Sequence, residues 1–307
     1  MTTSPSPRAD VDTRWVERHA LLAGGRRLGY TEYGADDGHC VLFFHGTPGS
    51  RLDARLLHDP ACAAGVRLVA VDRPGIGASD LSPGRTYLDW PADVTALLAH
   101  LGVEQHSLLG FSSGAPYALV CAVDPAPGLG AVAVVSGNSP VDDPEVRRVL
   151  PPDSKVYLLL NERAPWVASA ATLAMLAPAR IVARRWPRVS GRLYSMLMSP
   201  GDRRVISDYS AEYGPETGLA GVVESMRSGM RGVRDDVAIE FADWGFDLAD
   251  IEIRVEVFHG AEDPLVPLPQ AEYVARVVPD ARLHVIDDVG HLVLYERAAE
   301  IFAALVP

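Results

Sequence analysis

Short blocks of contiguous apolar residues alternate along this chain with longer stretches in which apolar positions recur every three or four residues. Residues 40–44 and 66–71 read as strands buried on both faces, and between them 52–62 carries helical spacing. A second helix is predicted over 87–101, with Pro91 tolerated near its first turn. Residues 107–110 then form a short strand running into a helix from Ser113 to about Val123, and 131–135 is another β-rich run. Strand, crossover helix and next strand in repetition predict a right-handed, mostly parallel sheet with helices on both faces. Upstream, 14–21 and 27–33 predict two short strands around the Gly24-Gly25 turn, placed to extend the sheet as antiparallel neighbours.

The alternation stops between about 140 and 250. There 155–176, 179–197 and 220–241 carry helical patterns, after which strand 253–258, helix 269–278, strand 282–286 and a terminal helix over 292–305 resume the earlier rhythm. One α/β pattern interrupted once predicts a single core, 14–139 and 251–307, carrying an inserted, mainly helical cap over 140–250. Residues 1–13, rich in Ser, Thr and Pro, are expected to form a flexible leader. The apolar cap residues Trp166, Leu173, Met175, Leu176, Trp186, Leu193, Met196, Leu197 and Met198 are expected either to enclose a ligand or to pack the cap helices together.

Charge narrows the function classes. Forty acidic against 28 basic side chains leave a net charge of −12, which argues against a broad nucleic-acid-binding surface. No apolar signal core follows Met1, and no uncharged stretch of membrane-spanning length occurs, so a cytoplasmic protein without membrane insertion is expected. The three cysteines, Cys40, Cys62 and Cys121, lack paired metal-ligand spacing and are expected to be reduced, buried thiols.

The chemistry concentrates at strand ends. Gly110-Phe111-Ser112-Ser113-Gly114 fits G-x-S-x-G between a predicted strand and helix, the context in which a sharp bend exposes a serine hydroxyl. Ser112 is the candidate nucleophile, and it needs a base because an ordinary hydroxyl is a weak nucleophile near neutral pH. His291, after the last predicted strand, is the candidate base and later acid, and Asp263, just beyond the strand at 253–258, is the candidate acid that orients it. Asp287, Asp288 and Glu262 are rivals for that position. His45-Gly46-Thr47-Pro48-Gly49 follows another buried strand, where the Thr47 N–H can join the Ser113 N–H as an oxyanion donor; Pro48 has none. His45 reads as a loop organiser. Asp72-Arg73-Pro74-Gly75-Ile76-Gly77 lacks the dinucleotide fingerprint, and Arg73 is expected to organise its loop or, alternatively, to meet substrate.

Taken together, His45-Gly46-Thr47-Pro48-Gly49, Asp72-Arg73-Pro74-Gly75-Ile76-Gly77-Ala78-Ser79, the Ser112 elbow, Gly260-Ala261-Glu262-Asp263 and Gly290-His291 resemble the successive signatures of the α/β-hydrolase superfamily, in its capped serine-hydrolase branch. The resemblance spans about residues 27–305 and implies Ser112 as nucleophile, Asp263 as acid, His291 as histidine and an oxyanion site at Thr47 and Ser113.

The expected activity is hydrolysis of a small carboxylic ester or lactone through an acyl-enzyme, with no metal or redox cofactor required. A proline-iminopeptidase-like amidase is the first alternative, although that branch's HGGPG signature departs here at Thr47 and its GGSWG elbow at Phe111 and Ser113. In that reading Glu212, Glu216 or Glu224 of the cap would receive a substrate amine. Acyl transfer, lyase-like chemistry and non-enzymatic ligand binding complete the alternatives.

Overall fold

The computed structural model describes residues 15–214 and 217–307, so the expected leader lies outside the described residues. Strands β1 (Arg18–Leu21), β2 (Arg27–Gly34), β3 (His39–Phe44), β4 (Val66–Val71), β5 (His106–Phe111), β6 (Leu129–Val135), β7 (Val255–Gly260) and β8 (Ala281–Ile286) make one sheet. Its order is β1-β2-β4-β3-β5-β6-β7-β8. The first two strands pair antiparallel with each other and β2 pairs antiparallel with β4; every other pairing is parallel.

The contiguous apolar blocks occupy the middle of this sheet because those strands are covered on both sides. One face carries Leu42, Phe44, Leu108, Val132 and Val257 against α2 (Trp90–Leu101), α3 (Ala115–Val123) and α11 (Leu268–Val277). The other carries Val41, Phe43, Leu109 and Ala133 against α1 (His58–Ala63), α12 (Val293–Glu296) and α13 (Ala298–Leu305). Alternate residues of one strand thus feed two separate cores. The predicted helix 52–62 is a 3-10 segment, Arg51–Leu57, running into α1. Cys40 and Cys121 are buried thiols as expected, but Cys62 on α1 is exposed.

Between β6 and β7 the chain builds α4 (Pro144–Val149), α5 (Pro152–Arg163), α6 (Pro165–Arg185), α7 (Pro187–Met196), α8 (Pro200–Tyr213), α9 (Ala220–Ser225) and α10 (Arg231–Glu240). Prolines divide it more finely than apolar spacing predicts. Pro165 and Pro187 each open a helix where the pattern runs on uninterrupted, because a proline fits a first helical turn whose N–H groups have no partner yet. The α8 helix, absent from the expected set, starts at a Ser199–Asp202 capping box with Pro200 at its first position. Among the described residues α6 alone is long and apolar enough by length and composition to cross a membrane. Its buried positions, Ala168, Thr172, Leu176 and Ala183, form a stripe at helical spacing.

Candidate active site

Four loops leave the carboxyl ends of parallel strands on one edge of the sheet, the place where open α/β sheets collect ligands. They follow β3 (His45 onward), β5 (Ser112), β7 (Asp263) and β8 (His291).

Ser112 stands at the junction of β5 and a 3-10 turn, Ser112–Gly114, that leads into α3. Its φ of 53° lies in the left-handed region that side chains with a Cβ rarely adopt, so the surrounding structure must hold it there. Two glycines make the bend fit. A Cβ on Gly114 would collide with the Phe44 carbonyl, and one on Gly110 with the Gly114 carbonyl.

His291 is buried, with its imidazole beside the Phe111 ring. Its Nε2 lies 3.1 Å from Ser112 Oγ and its Nδ1 2.8 Å from Asp263 Oδ2. A carboxylate only accepts, so Nδ1 carries the proton to Asp263 and Nε2 accepts from the serine hydroxyl. Asp263 Oδ1 accepts the N–H groups of Leu265 and Val266, both at 2.9 Å. Burial raises the Asp263 carboxyl's pKa, but His291 and these donors outweigh it and hold the group below the usual carboxylate value. Burial pulls His291 down, while the adjacent Asp263 pushes it up; the net direction is upward. The rivals are elsewhere: Glu262 is exposed, and Asp288, at φ 60°, offers its backbone carbonyl to Arg204.

The loop after β3 runs alongside the serine, with Gly46 close enough that a Cβ there would touch the Ser112 side chain. Arg73 shapes that loop from below. Its fully buried guanidinium donates to the His45 carbonyl, to the Gly46 carbonyl at 3.1 Å and to Thr47 Oγ1 at 2.7 Å. Arg73 therefore organises the loop, as does His45, whose Nδ1 donates to the Gly46 carbonyl at 2.8 Å. Asp236, on α10 of the insertion, pairs with Arg73 at 2.8 Å and also with Arg85, while the Tyr117 hydroxyl donates to it at 3.2 Å. Burial would raise the Asp236 pKa, yet the two guanidinium groups hold it down at about 2.

Ser112, Ser113, Thr47 and His291 line a cavity of 1040 Å³ between the sheet edge and the insertion. One turn beyond Asp236, Glu240 reaches this cavity and accepts from Ser113 Oγ at 2.8 Å and Asn138 Nδ2 at 2.5 Å. Burial pushes its carboxyl up, against those donors. The apolar wall consists of Leu56, Val141, Leu150, Val205, Leu219 and Val222 among others.

A model of the alpha/beta hydrolase family matches residues 41–305. The chain belongs to that family. Among curated relatives, this hydrolase is 26% identical over 300 residues to 2-hydroxy-6-oxononadienedioate/2-hydroxy-6-oxononatrienedioate hydrolase 2 of Pseudomonas putida, covering 94% of each chain. It is 49% identical to the pimeloyl-[acyl-carrier protein] methyl ester esterase of Aromatoleum aromaticum over 49 residues only, 16% of this chain and 20% of that protein. Among solved structures it resembles the esterase RhEst1 from Rhodococcus sp. ECU1013, with TM-score 0.64, 20% identity and coverage of 94% and 99% of the two chains.

Not every expected contact of this hydrolase is found. Of the apolar insertion residues expected to enclose a ligand or pack the helices, Met196 lines the cavity while remaining largely exposed, Leu176 and Met198 are buried, Leu173 is half-buried, and Trp166, Met175, Trp186, Leu193 and Leu197 are exposed. Helical spacing separates two faces but does not say which one meets the core. Glu224 is paired with Arg51 and Arg227, Glu212 is exposed on α8, and Glu216 lies outside the described residues. The insertion carboxylate that does line the cavity is Glu240, alongside Asp53 from the core, and neither Glu240 nor Asp236 nor Asp202 stands out in the sequence. A buried pair of acids at i and i+4 on a helix leaves no local mark that separates it from a solvated face.

Proposed function

We propose that this alpha/beta hydrolase cleaves a small carboxylic ester or lactone through an acyl-enzyme on Ser112, with residues 140–250 serving as the cap over the cavity. The observation that carries this reading is the hydrogen-bond chain from Ser112 Oγ through both nitrogens of His291 to Asp263, opening on the cavity. In the first half-reaction His291 Nε2 takes the serine proton as Oγ attacks the acyl carbon, and the carbonyl oxygen gains the negative charge. The backbone N–H groups of Thr47 and Ser113 are the donors assigned to that oxygen. Collapse breaks the bond to the leaving alkoxide, which receives the proton from His291. A water molecule then gives its proton to Nε2 as it attacks the ester carbon, and collapse of this second intermediate breaks the acyl–Oγ bond, releases the acid and returns the proton from His291 to Ser112. Asp263 keeps the Nδ1 proton in place and stabilises the imidazolium at both stages.

Intact-protein mass spectrometry after brief exposure to an activated ester tests the reading. An added acyl mass that maps to Ser112, absent in a folded S112A protein, supports it. Modification elsewhere, with turnover preserved in S112A, overturns it. Peptides with a free N-terminal proline that react faster than every ester would transfer the same machinery to amide hydrolysis.

A further inference from the structure

We propose that Asp202, on α8 of the insertion, is a positioning residue for His291, holding the histidine loop by its backbone so that the imidazole meets Ser112. This rests on the assignment of His291 as the general base. In the loop after β8 the stretch Val289–Leu292 is irregular and buried, yet three consecutive N–H groups point at one carboxylate. Oδ1 accepts from Gly290 at 3.2 Å and Leu292 at 2.8 Å, and Oδ2 from His291 itself at 3.1 Å. Oδ2 also accepts from the Ser199 N–H at 3.2 Å, within the capping box that fixes Asp202 on the first turn of α8. Asp202 is fully buried, so without it these donors would have no water to turn to.

The fit is close on both sides. A Cβ on Gly290 would collide with the Asp202 carboxylate, and one on Gly201 with the Asp288 carbonyl, so both chains approach at glycine. The core contributes one tether of its own, Ser136 Oγ donating to the His291 carbonyl at 3.0 Å. The insertion thus supplies the N–H side of the clamp and the core the C=O side. A negative charge this near the ring also favours the imidazolium. The charged and titratable groups facing His291 are Asp263 after β7, Asp202 on α8, Glu240 on α10 and the His259 imidazole on β7, and Asp202 and Asp263 raise its pKa.

The test compares the parent and D202N proteins by steady-state ester kinetics across pH, by NMR titration of the His291 ring and by amide hydrogen exchange. In the parent, the amides of residues 290–292 should exchange slowly although they lie in a loop; exchange as fast as at exposed turns overturns the clamp without any variant being made. In D202N, kcat should fall about 10- to 100-fold with KM changed less than about threefold, because a misplaced base loses rate rather than binding. The His291 titration and the acid limb of the profile should both move to lower pH. Unchanged kcat and an unshifted His291 titration in a folded D202N overturn the proposal. A parent that hydrolyses no ester but still shows the ring shift on substitution would reject the esterase reading and leave the clamp standing. If D202N does not fold, D202E, which keeps the charge on a longer arm, is the variant to compare, and it should lower kcat while leaving the His291 titration where the parent has it.

Discussion

The Asp236 carboxylate and the Arg73 guanidinium, 163 positions apart in sequence, meet fully out of water, with Oδ2 accepting from Nε at 2.9 Å and from Nη2 at 2.8 Å. One comes from the insertion and the other from the loop after β4. The pair therefore fastens the insertion to the loop that runs beside Ser112. Removing the carboxylate leaves Arg73 and Arg85 buried beside each other, a situation that costs about 3–5 kcal/mol when one partner of a buried pair is lost. D236A should lower stability by that order in urea denaturation and should also reduce ester turnover, since Arg73 no longer holds the Gly46 carbonyl. The pH dependence has a definite sign. The folded-state pKa of Asp236 is depressed to about 2 from 3.8, so its contribution is complete above about pH 4 and disappears as pH falls toward 2. Parent and variant should thus converge in stability on acidification; a constant gap down to pH 2 would remove the ion pair as its source.

Asp263→Asn keeps the side chain's size and removes the charge that fixes the Nδ1–H tautomer. The amide can present its NH₂ to Nδ1, which then pushes the proton to Nε2 and blocks acceptance from Ser112 Oγ. Ester turnover should drop by roughly 10⁴-fold, as expected when a histidine is held in the wrong tautomer. Circular dichroism should remain that of the parent. A folded D263N protein with near-parent kinetics would instead favour an acid on the β8 loop, with D288N as the immediate comparison.

A base that must be neutral gives the pH profile its shape. Because the contact with Asp263 raises His291 above its ordinary value, the acid limb of kcat/KM should lie above about pH 6.5, falling tenfold per unit below it. In E240Q the limb should move slightly lower, since Glu240 also favours the imidazolium. A limb near pH 4.5, unchanged in both D263N and E240Q, would point to a carboxyl group as the titrating base.

The sheet was legible because its central strands are apolar on both faces, and a run such as Val66–Val71 has no other stable home. The meeting of Ser112, Asp263 and His291 was legible because Ser112 and Asp263 each follow such a strand, His291 follows the last strand, β8 at the end of the sheet, and the fold returns strand ends to one edge. The insertion was legible only as helical material. Its prolines mark helix starts, but nothing near Asp202 or Asp236 in sequence announces partners at 290–292 or at Arg73. Contacts across 88 or 163 positions are set by how the insertion docks, and amphipathic spacing leaves that docking open.

Substrate choice should follow the apolar wall of the cavity. Leu56, Leu150, Leu219 and Val222 present hydrocarbon beyond the serine, whereas Arg188, Arg192 and Arg203 also line the cavity and Glu240 faces it near Ser113. Burying one methylene is worth about 0.8 kcal/mol, close to fourfold in kcat/KM when the contact is made in the transition state. A series of neutral esters of equal intrinsic reactivity should therefore gain up to about fourfold per added methylene until the cavity is filled. Val222→Phe adds bulk to that wall, so the optimum should move to shorter chains while the rate with the shortest ester stays within about twofold. Matched esters ending in a carboxylate provide the control. If they outpace the neutral series and chain length has no effect, recognition belongs to Arg188, Arg192 and Arg203, and charge reversal at those positions should then abolish the preference.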